Sequence, residues 1–566
     1  MSVLGKKWVI KNTDTQSGVL DKICTNRGLK DPDDLREFLN PDLKDLHDPF
    51  LFKGMKRAVE RVEKAVKNDE RVIIYGDYDV DGISGSAILY LTLQHLGAQV
   101  SYRLPHRVDD GYGLNDKFIN EFEKIGVGLV ITVDCGISNY KQVELAKQKG
   151  IDVIITDHHT IPLNYPEAAY EVLHPCREGG KYPFKGLTGA GVAFKFAHAL
   201  LMRDGHEEKD NELIFALLDL ASLGTVADLG PLVGENRLIV KKGLELLPNT
   251  KWEGLKFLQE IAGVKSSDQM NSSVIGFQIA PRINAAGRID SPYFALQLLI
   301  QNGDSETAQK LANKLEELNR KRQDMLHKAV EEAQNRVSEK FAKDGERNII
   351  IEHDKYWHSG IIGLIAGKLA DKYCRPVIIL QDFGDYLVAS ARSTDFFNII
   401  EAITKFSKYL DHFGGHAQAA GFNIKKANLE KFIEDITEYA QKTLKDVDLK
   451  PTLSIDCEIK PSEINWDILG FIESLAPFGV ANENPTFLLK NITLKNARPV
   501  GRENKHMSLE IDTGEDLIRG IAFNMGKFEN FTREHKSLDL ICKLERNVWN
   551  GNESIQLSVL DLDQAE

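Results

Sequence analysis

Four short apolar runs alternate with amphipathic stretches between Val72 and Asp157, and this alternation sets the expected fold of the first part of the chain. Each run is rich in β-branched residues, which is typical of buried strands. Strands that alternate with helices predict an α/β domain, doubly wound around a largely parallel sheet. The four runs read RVIIYGD, QVSYRLP, GLVITVD and IDVIITD.

A long segment without Gly or Pro extends from Asp304 to Lys343 and is rich in residues that favour helices. We expect it to be a connecting helix with a solvated, charged face that joins two lobes. Other helical patterns precede it: LTGAGVAFKFAHALL, NELIFALLDLASLGTVAD and a stretch that begins near Asn236.

A second, smaller α/β pattern begins at RNIIIEHD and ends with GGHAQAAGFNI. After Leu444 the polar stretch KDVDLKP marks a boundary, and short alternating runs follow it to Glu566. These runs predict a small C-terminal β-barrel, such as an OB-fold. The expected divisions are an N-terminal segment (1–70) that packs on the first α/β domain, that domain (71–303), the connecting helix (304–345), the second α/β domain (346–445) and the barrel (450–566).

The composition is that of an ordinary globular protein, with 42% hydrophobic and 27% charged residues among 566. No apolar run approaches the roughly 18 residues of a membrane span, and the first residues lack the apolar stretch of a signal peptide. The six cysteines include no CxxC pair, which argues against zinc ribbons and disulfide frameworks. We therefore expect a cytoplasmic protein. The net charge of −13 argues only weakly against nucleic acid, because acidic helices can outweigh a local basic groove.

Acidic and imidazole side chains follow three of the predicted strands directly. Asp77, Asp79 and Asp81 come after VIIY, Asp134 comes after LVITV, and the sequence DHH at 157–159 comes after VIIT. The first group resembles the start of an EF-hand, but the twelfth residue of that loop is Ile88 instead of the required Glu, and a strand precedes it. A single Asp at such a place is commonly a turn former or a helix cap.

Three such groups together indicate a shared site. In open α/β sheets, ligands bind at the carboxyl ends of the strands, so parallel strands would bring these side chains to one edge. Converging carboxylates repel one another unless cations compensate them. Oxygen ligands with one or two imidazoles suit Mn²⁺ or Mg²⁺.

The motifs GDYDVDG, DCG, DHH and LGTVADLGPL resemble, in order, the four motifs of the DHH phosphoesterase superfamily. Further stretches are similar to signatures of the RecJ family of single-strand-specific exonucleases: DDGYGLN, LTGAGVAFK, APRINAAGRID, WHSGIIGLIAGKL, ASARS, GGHAQAAG and LAPFG. The resemblance runs from residue 72 to about 480. It implies a DHH domain, a long helix, a smaller DHH-associated domain and an OB-fold.

The resemblance also assigns a metal site that holds two divalent cations, Mn²⁺ or Mg²⁺. His159 would lie beside the metals as a phosphate contact or as a proton donor to the leaving group. Asp219 remains an alternative to Asp228, although the match to TVAD favours Asp228. The positions that match metal ligands are Asp77, Asp79, Asp81, Asp134, His158 and Asp228.

A pocket for the 5′-phosphate and the DNA strand is implied by a second set of residues: Arg107, Arg282, Ser390, Arg392, Gly415 and His416. A forked guanidinium suits phosphate, but without the family context these arginines would be taken as surface charges or helix caps. The glycines of GGHAQAAG fit either a close approach to a nucleotide or packing between elements. In the barrel, Phe487, Phe523 and Trp549 are open to two interpretations, as stacking residues or as core.

The implied function is metal-dependent 5′→3′ hydrolysis of single-stranded DNA to 5′-mononucleotides in DNA repair and recombination. By the same resemblance, a single-strand-binding protein and a helicase are expected as partners. One alternative is a DHH enzyme that acts on pyrophosphate, oligoribonucleotides or cyclic dinucleotides, and the long helix and the barrel argue against it. Another is a non-catalytic DHH scaffold, which should have lost ligands that this chain retains.

Overall fold

Two units make up the chain in the computed structural model, which describes residues 2–107, 109–202, 208–264, 270–512, 517–535 and 537–565. The first unit combines Met1–Asp42 with Lys450–Glu566, and the second is formed by Leu43–Leu449. The predicted N-terminal segment, residues 1–70, is therefore divided. Its first 42 residues belong to the unit of the C-terminal barrel, and only the remainder belongs to the unit of the first α/β domain.

The N-terminal residues join the barrel unit through a short strand and a helix. The strand β1 (Lys7–Ile10) pairs in parallel with β12 (Thr452–Ile455). In helix α1 (Val19–Asn26), the buried Val19 and Ile23 pack in the core of the barrel unit. A strand of four residues is too short to show a period, so the sequence did not reveal this pairing. Helix α2 (Pro32–Leu39) follows, with Asp31 as its N-cap.

A five-stranded sheet forms the core of the first α/β domain, and all of its neighbouring strands are parallel. The prediction of a doubly wound parallel sheet is confirmed, with one more strand than the four predicted. The strand order is β3-β2-β4-β5-β6, so the carboxyl ends of the strands lie along one edge. Its elements, with helix α3 before them, are α3 (Met55–Lys67), β2 (Arg71–Gly76), α4 (Val80–His95), β3 (Gln99–Arg103), α5 (Asp116–Lys124), β4 (Val127–Val133), α6 (Tyr140–Gln148), β5 (Asp152–Thr156) and β6 (Glu171–Leu173).

Helices complete this domain. Helix α4 packs on α7 and α8, and the three helices contribute to one apolar core with the sheet. A five-residue π-helical turn, Ile275–Ile279, lies between two of the helices. The helices are α7 (Gly189–Leu201), α8 (Glu208–Ala227), α9 (Gly234–Leu246), α10 (Glu253–Ala262), α11 (Ser272–Val274), α12 (Ala280–Ile289) and α13 (Tyr293–Leu299).

The predicted connecting helix is α14 (Ser305–Asp344), and Asp304 caps it by accepting a hydrogen bond from the backbone N–H of Thr307. Its buried residues include Ala312, Leu315 and Leu318 towards the first domain and Val337 towards the second. The helix packs on α10, α12 and α13 and then on the first helix of the next domain. It is therefore packed on both domains and is more than a solvated spacer.

The second α/β domain has a mixed five-stranded sheet in the order β10-β11-β9-β8-β7. Only the β7–β8 pair is parallel. Strand β10 is an edge strand with mostly exposed residues. The elements are β7 (Ile350–Asp354), α15 (Ser359–Tyr373), β8 (Val377–Asp382), β9 (Tyr386–Arg392), α16 (Ile399–Lys405), β10 (Leu410–His416), β11 (Ala419–Lys425) and α17 (Lys426–Thr443).

The C-terminal strands close into a barrel, as the sequence predicts. The sheet order is β13-β14-β15-β16-β18-β17, and β14 also pairs with β17, which closes the ring. The ring itself has five strands, because the two-residue β13 only adds to β14, and a five-stranded barrel of this kind is the OB-fold. Beyond β12, the elements are β13 (Cys457–Glu458), α18 (Trp466–Ser474), β14 (Phe487–Val500), β15 (His506–Asp512), β16 (Leu517–Ala522), α19 (Glu529–Glu534), β17 (Leu538–Trp549) and β18 (Asn552–Gln564).

Candidate metal centre and phosphate pocket

Carboxylates and imidazoles converge at the carboxyl edge of the parallel sheet. Asp77 follows β2, Asp134 follows β4, and His158 follows β5 by two residues. Asp79 is the N-cap of α4, and its Oδ1 accepts hydrogen bonds from the backbone N–H groups of Asp81 (3.0 Å) and Gly82 (3.2 Å). The parallel arrangement of the strands is the reason that residues so far apart in sequence meet at this edge.

His158 lies at the centre of the cluster. Its Nε2 atom is 3.1 Å from Oδ1 of Asp134, 3.6 Å from Oδ2 of Asp228 and 3.8 Å from Oδ2 of Asp81. Three sets of potential ligand atoms lie within 4.8 Å of one another. They are Asp134 with His158 and His159, Asp81 with His158 and Asp228, and Asp77 with Asp79 and Asp134. The structure thus brings all six predicted metal ligands into one site.

Several atoms of this cluster are buried without hydrogen bonds. Among the described residues, Oδ1 of Asp77, Oδ1 of Asp134 and Nε2 of His158 have no hydrogen-bond partner. A buried polar atom without a partner is costly, so such atoms indicate a ligand. Oxygen and imidazole nitrogen are donors that suit Mn²⁺ or Mg²⁺. The donor set therefore fits divalent cations.

The carboxylates also resist ionisation in the absence of compensating positive charge. Burial, together with the neighbouring Asp79, raises the pKa of Asp77 to about 8 and that of Asp81 to about 7. Burial and the charge of Asp81 raise the pKa of Asp228 to about 8, and the same causes raise the pKa of Asp134 well above its usual value. Bound cations would reverse these shifts, because opposite charge favours the ionised form.

The close approach of α8 to this cluster depends on Gly224. A Cβ atom at this position would lie 2.4 Å from Cβ of Ala190 and 2.6 Å from Oδ1 of Asp81. Asp81 in turn accepts hydrogen bonds from the backbone N–H groups of Gly189 (2.6 Å) and Ala190 (2.9 Å) at the start of α7. A side chain at 224 would push α8 away, and Asp228 would move with it.

The structure separates Asp228 from the alternative ligand, Asp219. The Asp219 carboxylate is buried and accepts hydrogen bonds from Oγ1 of Thr250 (2.5 Å) and Nε1 of Trp252 (2.9 Å). It therefore anchors the turn before α10, whereas Asp228 lies beside His158. Asp219 lies within α8 and Asp228 directly follows it, and in the sequence only the match to TVAD favours Asp228.

His159 is held by a buried carboxylate that the sequence analysis left without a role. Oδ1 of Asp157 is 2.8 Å from Nδ1 of His159, and Asp157 also accepts hydrogen bonds from the backbone N–H groups of His158 and Ile137. Burial opposes the charged imidazolium, but the hydrogen bond and the charge of Asp157 raise the pKa of His159 to about 9. In contrast, burial and the charge of His159 lower the pKa of His158 to about 4, which keeps its Nε2 lone pair free for a metal.

Two further rings surround His159. The hydroxyl of Tyr112 donates a hydrogen bond to the backbone carbonyl of Asp134 (3.0 Å) and lies 3.2 Å from Nδ1 of His159. The ring of His416, from the second α/β domain, stacks on that of His159 with centroids 6.3 Å apart. Tyr112 belongs to DDGYGLN, and this motif was the only signal in the sequence for its position.

Arginines from four parts of the second unit form a partly buried cluster. Arg392 donates hydrogen bonds from Nη1 to Oγ of Ser390 (3.3 Å) and to the carbonyl of Ala391 (2.8 Å). The guanidinium of Arg107 lies 3.9 Å from the centroid of the Tyr78 ring. Burial and the charge of Arg107 lower the pKa of Arg392. Positive groups that lower one another's pKa indicate a site for an anion.

Two members of this cluster, Arg288 and Arg322, were not predicted from the sequence. Burial and the charges of Arg107 and Arg322 lower the pKa of Arg288 to about 9, and Nη1 of Arg288 donates a hydrogen bond to the carbonyl of Gly360. Burial and the charge of Arg282 lower the pKa of Arg322. Arg288 stands in the quoted motif APRINAAGRID, whereas Arg322 stands in the charged helix α14, where nothing distinguishes it from surface charge.

Arg282, which the sequence analysis placed in the phosphate pocket, has other partners. Its Nε donates a hydrogen bond to Oε2 of Glu316 (2.8 Å), and its Nη1 donates to the carbonyl of Gln278 (2.6 Å). Two edges of the guanidinium are therefore used to tie the π-helical turn to α14. A phosphate would have to compete with Glu316 for this side chain.

Gly415 and His416 form the end of the β10–β11 hairpin. Gly415 has a φ of 148°, and a Cβ atom there would lie 2.4 Å from the carbonyl oxygen of Ala419. Packing within the hairpin therefore requires this glycine. His416 is the member of the motif that reaches the metal centre, through its contact with His159.

The barrel aromatics divide into core and surface. Phe487 is fully buried, whereas Phe523 is 56% exposed and Trp549 is 73% exposed. Trp549 ends β17 at the hairpin that connects to β18, and Phe523 follows β16 and lies against His506, with ring centroids 5.3 Å apart. The loops and central strands of an OB-fold are the parts that bind oligonucleotides. No helix among the described residues is long and apolar enough to cross a membrane.

The fold and the site define a class, the DHH phosphoesterases. Three family descriptions match this chain: "DHH family, N-terminal domain" at residues 71–225, "DHHA1 domain" at 346–442 and "RecJ OB domain" at 455–561.

Relatives over nearly the full length narrow this class. The chain is 36% identical to the "Single-stranded-DNA-specific exonuclease RecJ" of Bacillus subtilis, over 96% of this chain and 68% of that protein. It is 31% identical to the protein of the same name from Escherichia coli, over 96% of this chain and 95% of that protein. The crystal structure of RecJ in complex with Mn²⁺ from Thermus thermophilus matches with a TM-score of 0.82 at 30% identity. The match covers 96% of this chain and 76% of that chain. The chain belongs to the RecJ family.

Proposed function

We propose that this protein is a metal-dependent 5′→3′ exonuclease that hydrolyses single-stranded DNA to 5′-mononucleotides in DNA repair and recombination. One observation carries the proposal: the cluster around His158 contains buried ligand atoms that make no hydrogen bonds. Partly buried arginines lie in the same unit. A cation site beside an anion site suits a substrate that is a chain of phosphates. The membership of the RecJ family supports the choice of single-stranded DNA.

Two divalent cations, Mn²⁺ or Mg²⁺, would be held by the six residues of the cluster: Asp77, Asp79, Asp81, Asp134, His158 and Asp228. When bound, such a pair activates water and stabilises the charge of the transferred phosphate. The protein contributes a rigid arrangement of the ligands, because α4, α7 and α8 pack closely around Asp81. His158 remains neutral and offers its Nε2 atom to the metal.

His159 is placed to supply a proton. The carboxylate of Asp157 keeps the imidazole charged near neutral pH and fixes its orientation through Nδ1. Its Nε2–H is then available to contact a phosphate oxygen or to protonate the leaving oxygen. Tyr112 and His416 limit the movement of the ring from two sides.

The 5′→3′ direction of cleavage would be set by the arginine cluster. Arg107, Arg288 and Arg392, with Ser390, offer donors to a terminal phosphate, and charge-assisted hydrogen bonds to phosphate are strong. A fixed pocket for the 5′-phosphate sets how far into the strand the metal centre reaches. Cleavage from the 5′ end in short steps follows from that geometry.

Single-stranded oligonucleotides labelled at the 5′ or the 3′ end test this function directly. With Mn²⁺ or Mg²⁺, the 5′ label should appear first as a mononucleotide, while the 3′-labelled strand shortens progressively. Blunt duplex and strands without metal should remain intact. Release of the 3′ label first, or equal attack on blunt duplex, would contradict the proposal.

Replacing Arg392 with alanine should raise KM about tenfold for 5′-phosphorylated strands and reduce their advantage over 5′-hydroxyl strands. The reason is that one charge-assisted hydrogen bond contributes roughly 1.5–3 kcal/mol to binding. Initial rates on the two kinds of 5′ end give the ratio of kcat/KM values. Arg347→Ala serves as the control. Arg347 is an exposed arginine of the second α/β domain that pairs with Asp344 at the end of α14. If Arg392→Ala discriminates between the two ends as well as wild type, Arg392 is outside the pocket.

We also propose, from the family resemblance, that a single-strand-binding protein and a helicase are partners and that the protein acts in the cytoplasm. Co-purification with the two partners at native expression level, together with cell fractionation, tests both statements. Recovery of the protein in a membrane fraction or in the periplasm would contradict the second.

A further inference from the structure

Two exposed apolar side chains have no role in the fold or in the site described above: Leu229, which directly follows Asp228, and Phe277, on the π-helical turn that packs on α8. We infer that Leu229 and Phe277 form an apolar rim that contacts a base of the DNA strand as it enters the metal centre. This inference rests on the proposed function and adds to it a contact with a base, where the residues discussed so far contact phosphate. The apolar rim consists of these two residues alone.

The backbone at Leu229 is unusual for its residue type. Helix α8 ends in a Schellman motif, in which Gly230 N–H donates to the carbonyl of Thr225 (2.9 Å) and Leu229 N–H donates to that of Val226 (3.2 Å). Leu229 has a φ of 58°, in the left-handed region that this motif normally fills with glycine. A leucine there is strained, because its Cβ crowds the backbone.

The side chain of Leu229 gives no packing in return for this strain. It is 70% exposed. Strained residues occur preferentially at functional sites, and Leu229 directly follows the candidate ligand Asp228. A leucine in place of glycine therefore indicates a use for the side chain outside the fold.

Phe277 lies at the middle of the π-helical turn Ile275–Ile279 and is 81% exposed. Ile275 and Ile279 are buried beneath it, and Arg282 ties the turn through the carbonyl of Gln278. The turn is thus anchored by two buried isoleucines and by Arg282, while its aromatic ring faces solvent. Single π-helical turns are frequent at functional sites.

The two side chains come from adjacent segments. The π-helical turn packs on α8, and a Cβ atom on Gly276 would lie 3.9 Å from Cγ1 of Val226. Val226 is in the last turn of α8, two residues before Asp228 and three before Leu229. Asp228 is itself the most exposed carboxylate near His158, with 34% of its side chain accessible. The apolar rim therefore borders the open side of the metal centre.

The chemistry of the rim selects the part of the substrate that it can contact. Phosphates are bound by the arginines and the cations, and neither leucine nor phenylalanine can bind an anion. An unpaired base has an apolar face that stacks on an aromatic ring, which typically contributes about tenfold to affinity. In a duplex the same face is covered by neighbouring bases, so the contact also favours single strands.

The test removes either the ring of Phe277 or the base that we infer it contacts. Phe277→Ala and wild type are compared on 5′-phosphorylated strands that carry an abasic residue at one of the first few positions. Wild type should show a KM about tenfold higher at one abasic position, and Phe277→Ala should show a similarly raised KM with the intact strand and no further penalty with the abasic one. An equal abasic penalty in both proteins overturns the inference.

Leu229→Gly separates substrate contact from folding. Glycine suits the left-handed conformation, so the melting temperature should stay the same or rise, while KM for single strands rises. A fall in melting temperature with unchanged KM would assign Leu229 a structural role and contradict the inference. Phe215→Ala is the matched control, because Phe215 is a 40% exposed phenylalanine on α8, about 20 Å from Asp228.

The same experiment distinguishes the two levels of the proposal. If wild type cleaves no single-stranded DNA with either metal, the proposed function fails. If wild type cleaves and the rim variants match it on every strand, the function stands and the rim does not contact DNA.

Discussion

Replacing Asp134 with asparagine should lower kcat on single-stranded DNA by about a thousandfold. Asp134 belongs to two of the three sets of potential ligands, and the loss of one group that stabilises transition-state charge typically costs a hundredfold to a thousandfold. Asparagine is preferred to alanine here because Asp134 has a φ of 59°, which asparagine tolerates. Single-turnover cleavage with saturating Mn²⁺ measures the fall in the rate of cleavage. Calorimetric titration of Mn²⁺ into the protein measures the change in metal affinity.

The same variant should be more stable than wild type when metal is removed with a chelator. The pKa values of Asp77, Asp81 and Asp228 are raised to between about 7 and 8, against about 4 in an unfolded chain. A raised pKa means that the folded state resists ionisation, so the metal-free protein loses stability as the pH rises from about 4 to about 8. Asp134→Asn removes one repelling carboxylate. Its advantage in melting temperature should therefore be largest near pH 8 and small near pH 4.

Asp219→Asn provides the contrast, because Asp219 is a buried carboxylate of α8 outside the cluster. Its hydrogen bonds with Thr250 and Trp252 stabilise the fold, so this variant should melt at a lower temperature and keep its activity per folded molecule. Near wild-type turnover by Asp134→Asn, with unchanged Mn²⁺ affinity, would refute the assignment of the metal centre.

The second large effect is expected for Asp157→Asn, which should lower kcat about a hundredfold with little change in KM. Asparagine keeps an oxygen for the backbone N–H groups of the loop, but it removes the charge that holds the imidazolium of His159. A general acid contributes about a hundredfold to ten-thousandfold to the rate. The magnitude is therefore that of losing a correctly charged and oriented His159.

The pH dependence of activity distinguishes this role of Asp157 from a structural role. With a pKa raised to about 9, His159 is charged below that pH and loses its proton above it. Activity that needs the charged ring should fall on the alkaline side, and in Asp157→Asn this fall should move to lower pH. Tyr112→Phe keeps the ring and removes one contact, and its loss should be smaller. An alkaline limb that stays in place in Asp157→Asn would mean that Asp157 acts on the loop and not on the proton of His159.

Local sequence was sufficient for the parallel sheet and for most of the metal centre. A strand that ends at an aspartate places that carboxylate at the sheet edge, and this holds for Asp77 and Asp134 whatever else surrounds them. Helix α14 was predicted within one residue at each end, because composition and the absence of Gly and Pro determine a helix of this length. The barrel followed from the spacing of short runs and turns.

Tertiary structure decided what depends on contacts between distant parts of the chain. Asp219 and Asp228 are both followed by leucine, and beyond the match to TVAD it is the packing of α8 against Asp81 that places Asp228 beside His158. Arg282 and Arg288 stand in one motif, yet Glu316 on α14 engages the first while the second is partly buried near other arginines.

The pairing of β1 with β12 joins residues more than 400 positions apart, and no period in four residues reveals it. The exposure of Leu229 in a glycine-type conformation was equally invisible in the pattern of the chain. Hydrophobic periodicity depends only on residues that are close to one another along the chain. The partners that set the charge and orientation of a side chain are neighbours in space, and only the folded structure supplies them.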